Sequence, residues 1–214
     1  MLDKPGARVV VVDDHPMIRL AVSFSLDNHG IKVVGESDNG ADAIQLIKVQ
    51  KPDLAILDIG IHGLDGLAVI RRIQALDNPS RVLVLTSYPP EIYAMRSYLA
   101  GASGFVSKDK DMSILVSGVK TIIGGYTFFP SLSSDPSDAP CNSECDLIKL
   151  LSNRELMVFN KLLKGMSNKE ISQSMLLSNK TISTYKVRIF DKLGVSNMIE
   201  LYDLARRLDV LDGL

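Results

Sequence analysis

The 214-residue chain lacks the features that would place it in several other classes of protein. It contains no apolar run near the ~20 residues that a helix needs to cross a bilayer. Its first residues, MLDKPGARVV, lack the apolar core of a signal peptide. Its two cysteines, Cys141 and Cys145, are too few for a disulfide framework and lack the second ligand pair of a zinc site. These absences exclude a secreted disulfide-stapled scaffold and a membrane protein, and we expect a cytoplasmic protein.

Net charge is also nearly absent, at a formal value of −1, but it is unevenly distributed. Residues 1–145 hold 13 Lys and Arg against 17 Asp and Glu, a charge of −4, whereas residues 146–214 hold 11 against 8, a charge of +3. This difference predicts distinct partners for the two halves. Between them, residues 130–145 (PSLSSDPSDAPCNSEC) carry one large apolar side chain, Leu132, which indicates a linker.

The N-terminal half alternates short apolar runs with longer amphipathic segments. The runs predict five strands: Arg8–Val12, Lys32–Gly35, Leu54–Leu57, Arg81–Thr86 and Gly104–Ser107. The other segments predict helices: Pro16–Asn28, Gly40–Val49, Gly66–Ala75, Glu91–Ala100 and Met112–Gly124. Continuous apolar strands separated by helices indicate a parallel sheet covered on both faces. We therefore predict an α/β fold, a doubly wound (βα)5 domain.

The residues after the linker show helical patterns throughout. Four segments are predicted to be helices: Ser152–Lys164, Asn168–Met175, Asn179–Leu193 and Ile199–Leu208. Ser152 and Glu155 have the spacing of a capping box at the start of the first of them. The second and third are separated by Leu176-Leu177-Ser178, a length that fits a helix-turn-helix.

Side chains that could form a site stand at the carboxyl ends of four predicted strands. Strand one ends in Asp13 and Asp14, strand three in Asp58, strand four in Thr86 and strand five in Lys108. Sites of doubly wound sheets form at this edge, so we expect these side chains to converge. Clustered carboxylates repel one another unless a cation intervenes, and hard oxygen ligands suit Mg²⁺. A lysine opposite the metal would contact a bound phosphoryl group.

Each of these residues, taken singly, also has an ordinary structural role. An Asp at a strand end is often a helix N-cap, an isolated Lys is usually solvated, and a Thr often bonds to nearby backbone. Their combination at successive strand ends is harder to explain in this way and favours a functional site. His15, beside the cluster, is expected to be a loop residue rather than a second phosphoacceptor.

Four blocks, VVVVDDHP, LAILDIGIHGLDG, VLVLTS and AGASGFVSKD, resemble the receiver domain of two-component response regulators in order and spacing. The resemblance covers Val9 to about Gly125. It implies that Asp58 accepts a phosphoryl group from a sensor histidine kinase or a phosphotransfer domain. It also implies Mg²⁺ binding by Asp13, Asp14, Asp58 and the main-chain oxygen of Gly60, phosphoryl contact by Lys108, and switching by Thr86 and Phe105.

The segment LSNRELMVFNKLLKGMSNKEISQSMLLSNKTISTYKVRIFDKLGVSN resembles the LuxR-type four-helix DNA-binding domain. A receiver followed by this domain is the arrangement of NarL/FixJ response regulators. GYTFFP, LSNREL and LSNKTISTYK are similar to the BvgA and EvgA group, in which a hybrid sensor kinase acts through a multistep phosphorelay. On this basis we predict a receiver domain over residues 1–128, a flexible linker over 129–146 and a helix-turn-helix domain over 147–214.

The third helix of the second domain would enter the major groove of DNA. Ile182, Tyr185, Ile189 and Leu193 recur at helical spacing and are expected to face the core. The opposite face supplies the predicted DNA contacts: base edges by Ser183, Thr184 and Val187, and phosphates by Lys180, Thr181, Lys186, Arg188 and Lys192, with help from Tyr185. Short hydroxyl and apolar contacts discriminate bases weakly, so specificity should depend on DNA shape and paired half-sites.

The leading hypothesis is a transcription regulator, not an enzyme, that is phosphorylated on Asp58 and then binds paired promoter half-sites as a homodimer. RNA polymerase is a further candidate partner, and part of the last helix is a candidate dimer surface. A Mg²⁺-dependent phosphohydrolase is the rival from another class, but such enzymes usually have a second Asp where this chain has Gly60. A receiver used only for protein docking, without phosphate, would not need the full acidic set.

Overall fold

The computed structural model of the protein describes residues 6–61, 64–130 and 147–208. The chain divides into two compact units, Met1–Pro130 and Ser131–Leu214. Most of the predicted linker, including Cys141 and Cys145, lies outside the described residues. Within the described ranges, no helix combines the length and the apolar character needed to cross a membrane.

The first unit is built on one parallel sheet. Its strands are β1 (Arg8–Val12), β2 (Lys32–Ser37), β3 (Leu54–Leu57), β4 (Arg81–Thr86) and β5 (Gly104–Ser107). Their order across the sheet is β2-β1-β3-β4-β5, so β2 and β5 form its two edges. The five predicted strands are confirmed, and β2 continues to Ser37 because Glu36 and Ser37 extend the pairing with β1.

Helices follow the strands and cover both faces of the sheet. They are α1 (Pro16–Asp27), α2 (Gly40–Gln50), α3 (Gly66–Gln74), α4 (Pro90–Ala100) and α5 (Met112–Ile123). Buried residues of α1 and α5 share one core cluster with Val9 and Val11 of β1. The alternate residues Val10 and Val12 are buried as well, and α2 contacts β1 and α3, while α3 contacts α4. Burial on both faces confirms the doubly wound α/β fold.

The second unit is helical over its described residues 147–208. Its principal helices are α6 (Asn153–Leu163), α7 (Asn168–Met175), α8 (Asn179–Leu193) and α9 (Met198–Arg207). Ser152 and Glu155 form the predicted capping box of α6, and Ser167 and Glu170 form an equivalent box on α7. Both α6 and α7 contact α8, so these two caps set the start of the helices that support it.

Candidate functional site

The main chain brings the polar ends of neighbouring strands together. The N–H of Asp58 donates to the carbonyl of Val12 on β1 at 2.8 Å, so Asp58 leaves β3 directly beside Asp13. The N–H of Lys108 donates to the carbonyl of Thr86 at 2.8 Å, which continues the pairing of β5 with β4 past its last residue. Parallel strands in register therefore place these side chains together at the carboxyl end of the sheet, as the sequence predicts.

Lys108 bridges two of the carboxylates. Its Nζ lies 2.7 Å from Oδ2 of Asp13 and 2.7 Å from Oδ2 of Asp58. Asp13 is 2% exposed and Asp58 is 5% exposed, so both anions are largely removed from water. A buried pair of carboxylates needs such a cation because their mutual repulsion is weakly screened away from solvent.

Burial and charge shift the pKa values of this group in the same direction for different reasons. Burial raises the pKa of Asp58, and the nearby Lys108 and the Gly60 N–H oppose the shift without cancelling it. Burial alone would lower the pKa of Lys108, but contacts with Asp58 and Asp13 outweigh it and raise that pKa above its ordinary value. Lys108 is therefore held protonated at the centre of the cluster.

Asp14 and His15 complete the group of side chains that could hold a metal. One ligand atom from each of Asp13, Asp14, His15 and Asp58 lies within 4.8 Å of the others. Nδ1 of His15 is 2.8 Å from Oδ1 of Asp14, although the His15 side chain is 69% exposed. The three carboxylates are hard oxygen donors and fit Mg²⁺, whereas imidazole suits softer transition metals.

Gly60 contributes through its N–H, which donates to Oδ1 of Asp58 at 2.8 Å. A Cβ at this position would lie 3.4 Å from both carboxylate oxygens of Asp58 and 3.6 Å from the hydroxyl of Tyr88. The glycine thus leaves space directly in front of Asp58, and Tyr88 borders that space. The role of the Gly60 carbonyl as a metal ligand stays a prediction.

Tyr88 is a site residue that the sequence analysis missed. Its ring stacks on Tyr93 of α4, with 4.8 Å between ring centroids, and the residue is 9% exposed. Its N–H lies 3.4 Å from Oγ1 of Thr86, the predicted switch hydroxyl. The available signal was its position two residues after Thr86, at the carboxyl end of β4. Tyr88 therefore connects the candidate site to the first turns of α4.

The predicted switch residues lie on the two adjacent strands at this side of the sheet. Thr86 is 1% exposed and Phe105 is 2% exposed. Phe105 is paired with Val84 of β4, which lies two residues before Thr86 and therefore on the same face of the sheet. Their roles as switch residues stay predictions, but a change at Thr86 would be transmitted directly to packed neighbours.

In the second unit, α8 separates an apolar face from a polar one. Ile182, Ile189 and Leu193 are buried as predicted, whereas Tyr185 is only half-buried. The exposed residues of the opposite face include most of the predicted DNA contacts: Lys180, Ser183, Thr184, Val187 and Arg188. Thr181 and Lys186 are half-buried, and Nζ of Lys186 lies 5.5 Å from the centre of the Phe190 ring. This surface stands away from the core along the first three turns of the helix.

Lys192 differs from the other predicted phosphate contacts. Its Nζ lies 2.7 Å from Oε2 of Glu155, which is 3% exposed, and 3.2 Å from the carbonyl of Leu150. Position 192 falls in the last turn of α8, where the helix packs beside the start of α6. The ammonium group of Lys192 is therefore engaged within the unit and serves the cap of α6.

The last helix, α9, packs part of its apolar surface into the second unit. Leu201, Leu204 and Ala205 are buried, and the hydroxyl of Tyr202 donates to the carbonyl of Leu162 at 2.9 Å. Ile199 is 74% exposed, and the dimer surface on α9 stays a prediction.

Two family models match the chain. Residues 9–120 match the response regulator receiver domain, and residues 149–205 match the bacterial regulatory proteins of the luxR family. The chain is 46% identical over 202 residues to the transcription regulator BvgA of Bordetella pertussis, covering 94% of this chain and 97% of BvgA. It is 30% identical over 198 residues to the DNA-binding transcriptional activator EvgA of Escherichia coli, covering 92% of this chain and 97% of EvgA.

A solved structure of similar architecture contains DNA. RcsB from Salmonella enterica serovar Typhimurium, bound to promoter DNA in the presence of the phosphomimetic BeF₃⁻, aligns with a TM-score of 0.66 at 25% identity. The alignment covers 92% of this chain and 97% of the RcsB chain.

Proposed function

The chain belongs to the two-component response regulators that join a receiver domain to a LuxR-type DNA-binding domain, and we propose that phosphorylation of Asp58 controls its binding to promoter DNA through α8. The observation that carries the proposal is the position of Lys108, 2.7 Å from both Asp13 and Asp58, at the carboxyl edge of the sheet. The proposed phosphodonor is a histidine kinase or a phosphotransfer domain.

The proposed reaction is a transfer from phosphohistidine to carboxylate. An oxygen of Asp58 attacks the phosphorus, the new P–O bond forms as the P–N bond breaks, and the donor imidazole leaves with the electron pair. Gly60 keeps the approach to Asp58 open because it has no side chain. Lys108 supplies positive charge beside the transferring oxygens, which stabilises their negative charge in the transition state.

The proposed cofactor is Mg²⁺, held by Asp13, Asp14 and Asp58 with the main-chain oxygen of Gly60. The three carboxylates approach one another within the 4.8 Å cluster, which is the donor chemistry this ion prefers. When bound, Mg²⁺ supplies positive charge that offsets the carboxylates and the phosphoryl oxygens.

An aspartyl phosphate adds close to two negative charges and strong hydrogen-bond acceptors at this edge. Thr86, one strand away, is the proposed donor that moves toward them, and Phe105 is the buried side chain that would follow. The proposed output is a homodimer that places two copies of α8 on paired half-sites. RNA polymerase stays a candidate partner at the promoter.

The deciding experiment compares the Asp58→Asn variant with the wild type and with Asp38→Asn, which removes an exposed carboxylate after β2. Each protein is incubated with phosphoramidate and Mg²⁺, and phosphoryl uptake is measured by intact mass. DNA binding and molar mass are then measured by anisotropy and light scattering. We expect wild type and Asp38→Asn to gain one phosphoryl group, larger mass and tighter DNA binding. Uptake and tighter binding in Asp58→Asn would refute the assignment of Asp58.

A further inference from the structure

The segment that follows α5 adds itself to the free edge of the sheet. The N–H of Phe128 donates to the carbonyl of Ser103 at 3.0 Å, and the N–H of Phe105 donates to the carbonyl of Phe128 at 2.7 Å. Phe128 thereby forms a parallel bridge with Gly104 on β5. The backbone that carries the proposed switch residue Phe105 is thus bonded on its outer side to the chain leaving the receiver.

The side chains of Phe128 and Phe129 pack on opposite faces of the sheet beside β5. Successive residues of an extended chain point to opposite sides. The Phe128 ring packs on the core cluster of α1 and α5, where a Cβ at Gly118 would approach it to 2.9 Å. The Phe129 ring meets Tyr98 of α4 edge to face, with 5.6 Å between centroids. We call Phe128 and Phe129 the edge clamp.

Close approach of the backbone makes this arrangement specific. A Cβ at Gly104 would lie 2.6 Å from the carbonyl oxygen of Phe128 and 2.9 Å from Cδ1 of Leu83. Only glycine at 104 leaves room for the clamp against β5. In the sequence, GYTFFP is only a mark of family resemblance, whereas in the structure its two phenylalanines bind the edge strand β5.

We propose that the edge clamp couples the phosphoryl site to the chain that leads to the DNA-binding domain. The clamp contacts the backbone of Phe105 through Phe128 and the ring of Tyr98 on α4 through Phe129. Helix α4 is also linked to the phosphoryl site, because Tyr88 stacks on Tyr93. A rearrangement of Phe105 and α4 therefore changes the fit of Phe129, and Pro130 follows it directly. This inference rests on the proposed phosphorylation of Asp58.

The test separates coupling from phosphorylation. The variants are Phe129→Ala and Tyr98→Ala, which remove the edge-to-face contact, with Tyr98→Phe to restore the ring. Tyr126→Ala is the matched control because Tyr126 is an aromatic residue of the same segment that is 74% exposed. Phosphoryl uptake on Asp58 is measured by intact mass, and affinity by anisotropy with a duplex selected by the wild type from a random pool.

For the wild type, Tyr98→Phe and Tyr126→Ala, we expect phosphorylation to tighten DNA binding by a factor within the ~5- to 150-fold range of allosteric coupling. For Phe129→Ala and Tyr98→Ala we expect normal phosphoryl uptake and unchanged affinity before phosphorylation, but less than about a twofold response to it. Linkage requires the reciprocal effect, so the duplex should tighten BeF₃⁻ binding in the wild type and not in Phe129→Ala.

Normal uptake with a full DNA response in Phe129→Ala and Tyr98→Ala would overturn the clamp and leave the proposed function intact. Absence of phosphoryl uptake in the wild type would instead refute the proposed function itself. Loss of the response in Tyr126→Ala would also overturn the clamp, because the effect would then not depend on the contact with Tyr98.

Discussion

The two units assemble their functional residues in opposite ways. In the receiver, Asp13, Asp58 and Lys108 are far apart in sequence and meet only because their strands end side by side. The side chains of all three are largely buried. In the DNA-binding unit, the predicted contacts lie within α8, mostly exposed on one face of a single helix. The first site depends on tertiary packing, whereas the second depends on helical periodicity and on caps.

The difference matters because charge acts more strongly where water is excluded. Removing a unit charge from the acidic cluster changes electrostatic interactions between groups a few ångströms apart in a low dielectric. A unit charge removed from the exposed face of α8 changes interactions that water and salt screen. We therefore expect large single-residue effects in the receiver and smaller, additive effects on α8.

The largest effect is expected for Lys108→Met. Loss of the positive charge beside Asp58 should slow phosphoryl uptake from phosphoramidate by about 10²- to 10³-fold, the usual consequence of removing one preorganised stabilising group. Lys110→Met is the control, because the Lys110 side chain is 59% exposed and lies outside the cluster. Uptake rates by intact mass decide the matter, and equal slowing in both variants would contradict the special position of Lys108.

The exposed basic side chains of α8 and Lys192 should respond differently to substitution. Lys186→Ala with Arg188→Ala should weaken DNA binding for all sequences and lower the slope of log affinity against log salt by about 2 per subunit, or about 1 per phosphate contact. Lys192→Ala should leave this slope unchanged and lower the melting temperature, because Lys192 is bonded to Glu155. A reduced salt slope in Lys192→Ala would return that residue to the DNA interface.

Of the two described capping-box glutamates, Glu155 is the buried one. Glu155→Gln should lower the free energy of unfolding by about 1–3 kcal/mol, because a buried charge-assisted bond is lost. Glu170→Gln alters the equivalent box on α7, where the glutamate is exposed, and should have a smaller effect. Urea unfolding of the three proteins tests this, and equal losses would show that the burial of Glu155 is unimportant.

The stability that Glu155 contributes should also depend on pH. Burial by itself would raise the pKa of Glu155, but bonds from Lys192 and Ser152 outweigh it and hold the pKa below 4.5. A lowered pKa in the folded state gives stability that is present above pH 4.5 and is lost as pH falls through the lowered value. The difference in stability between wild type and Glu155→Gln should therefore shrink below pH 4.5 and be constant near pH 7.

The smallest expected effect is on stability, at one strained backbone position in each unit. Lys51 after α2 has φ 45° and Leu176 after α7 has φ 54°, the left-handed region that favours glycine. Lys51→Gly and Leu176→Gly should each raise stability by about 0.5 kcal/mol, since relief of strain exceeds the added entropy of the unfolded chain. Leu176 is 83% exposed, so little burial is lost. Thermal melts that show a loss in both variants would contradict this.

Local patterns were sufficient for most of the fold. The strands β1, β3, β4 and β5 have the predicted bounds, because fully buried parallel strands are continuous apolar runs. The exception was β2, an edge strand whose last residues, Glu36 and Ser37, pair with β1 although they are polar. Edge position removes the need for apolar side chains, and a pattern based on hydrophobicity cannot detect such residues.

The candidate site was only partly predictable. The acidic residues and Lys108 stand at strand ends, so topology alone indicates that they meet. Tyr88, the bond between Lys192 and Glu155, and the seat of Phe128 on β5 join residues whose separation in the chain carries no periodic signal. These contacts depend on the direction of side chains after packing.

The order of elements, the caps, and the apolar and polar faces of each helix follow from the sequence alone, because they depend on interactions between residues a few positions apart. The tertiary structure decided which cations are engaged and which are exposed. It assigned Lys108 to two aspartates and Lys192 to a buried glutamate, and it placed two phenylalanines at the edge of β5. Such assignments depend on distances between elements remote in the chain, which only the packed sheet and helices define.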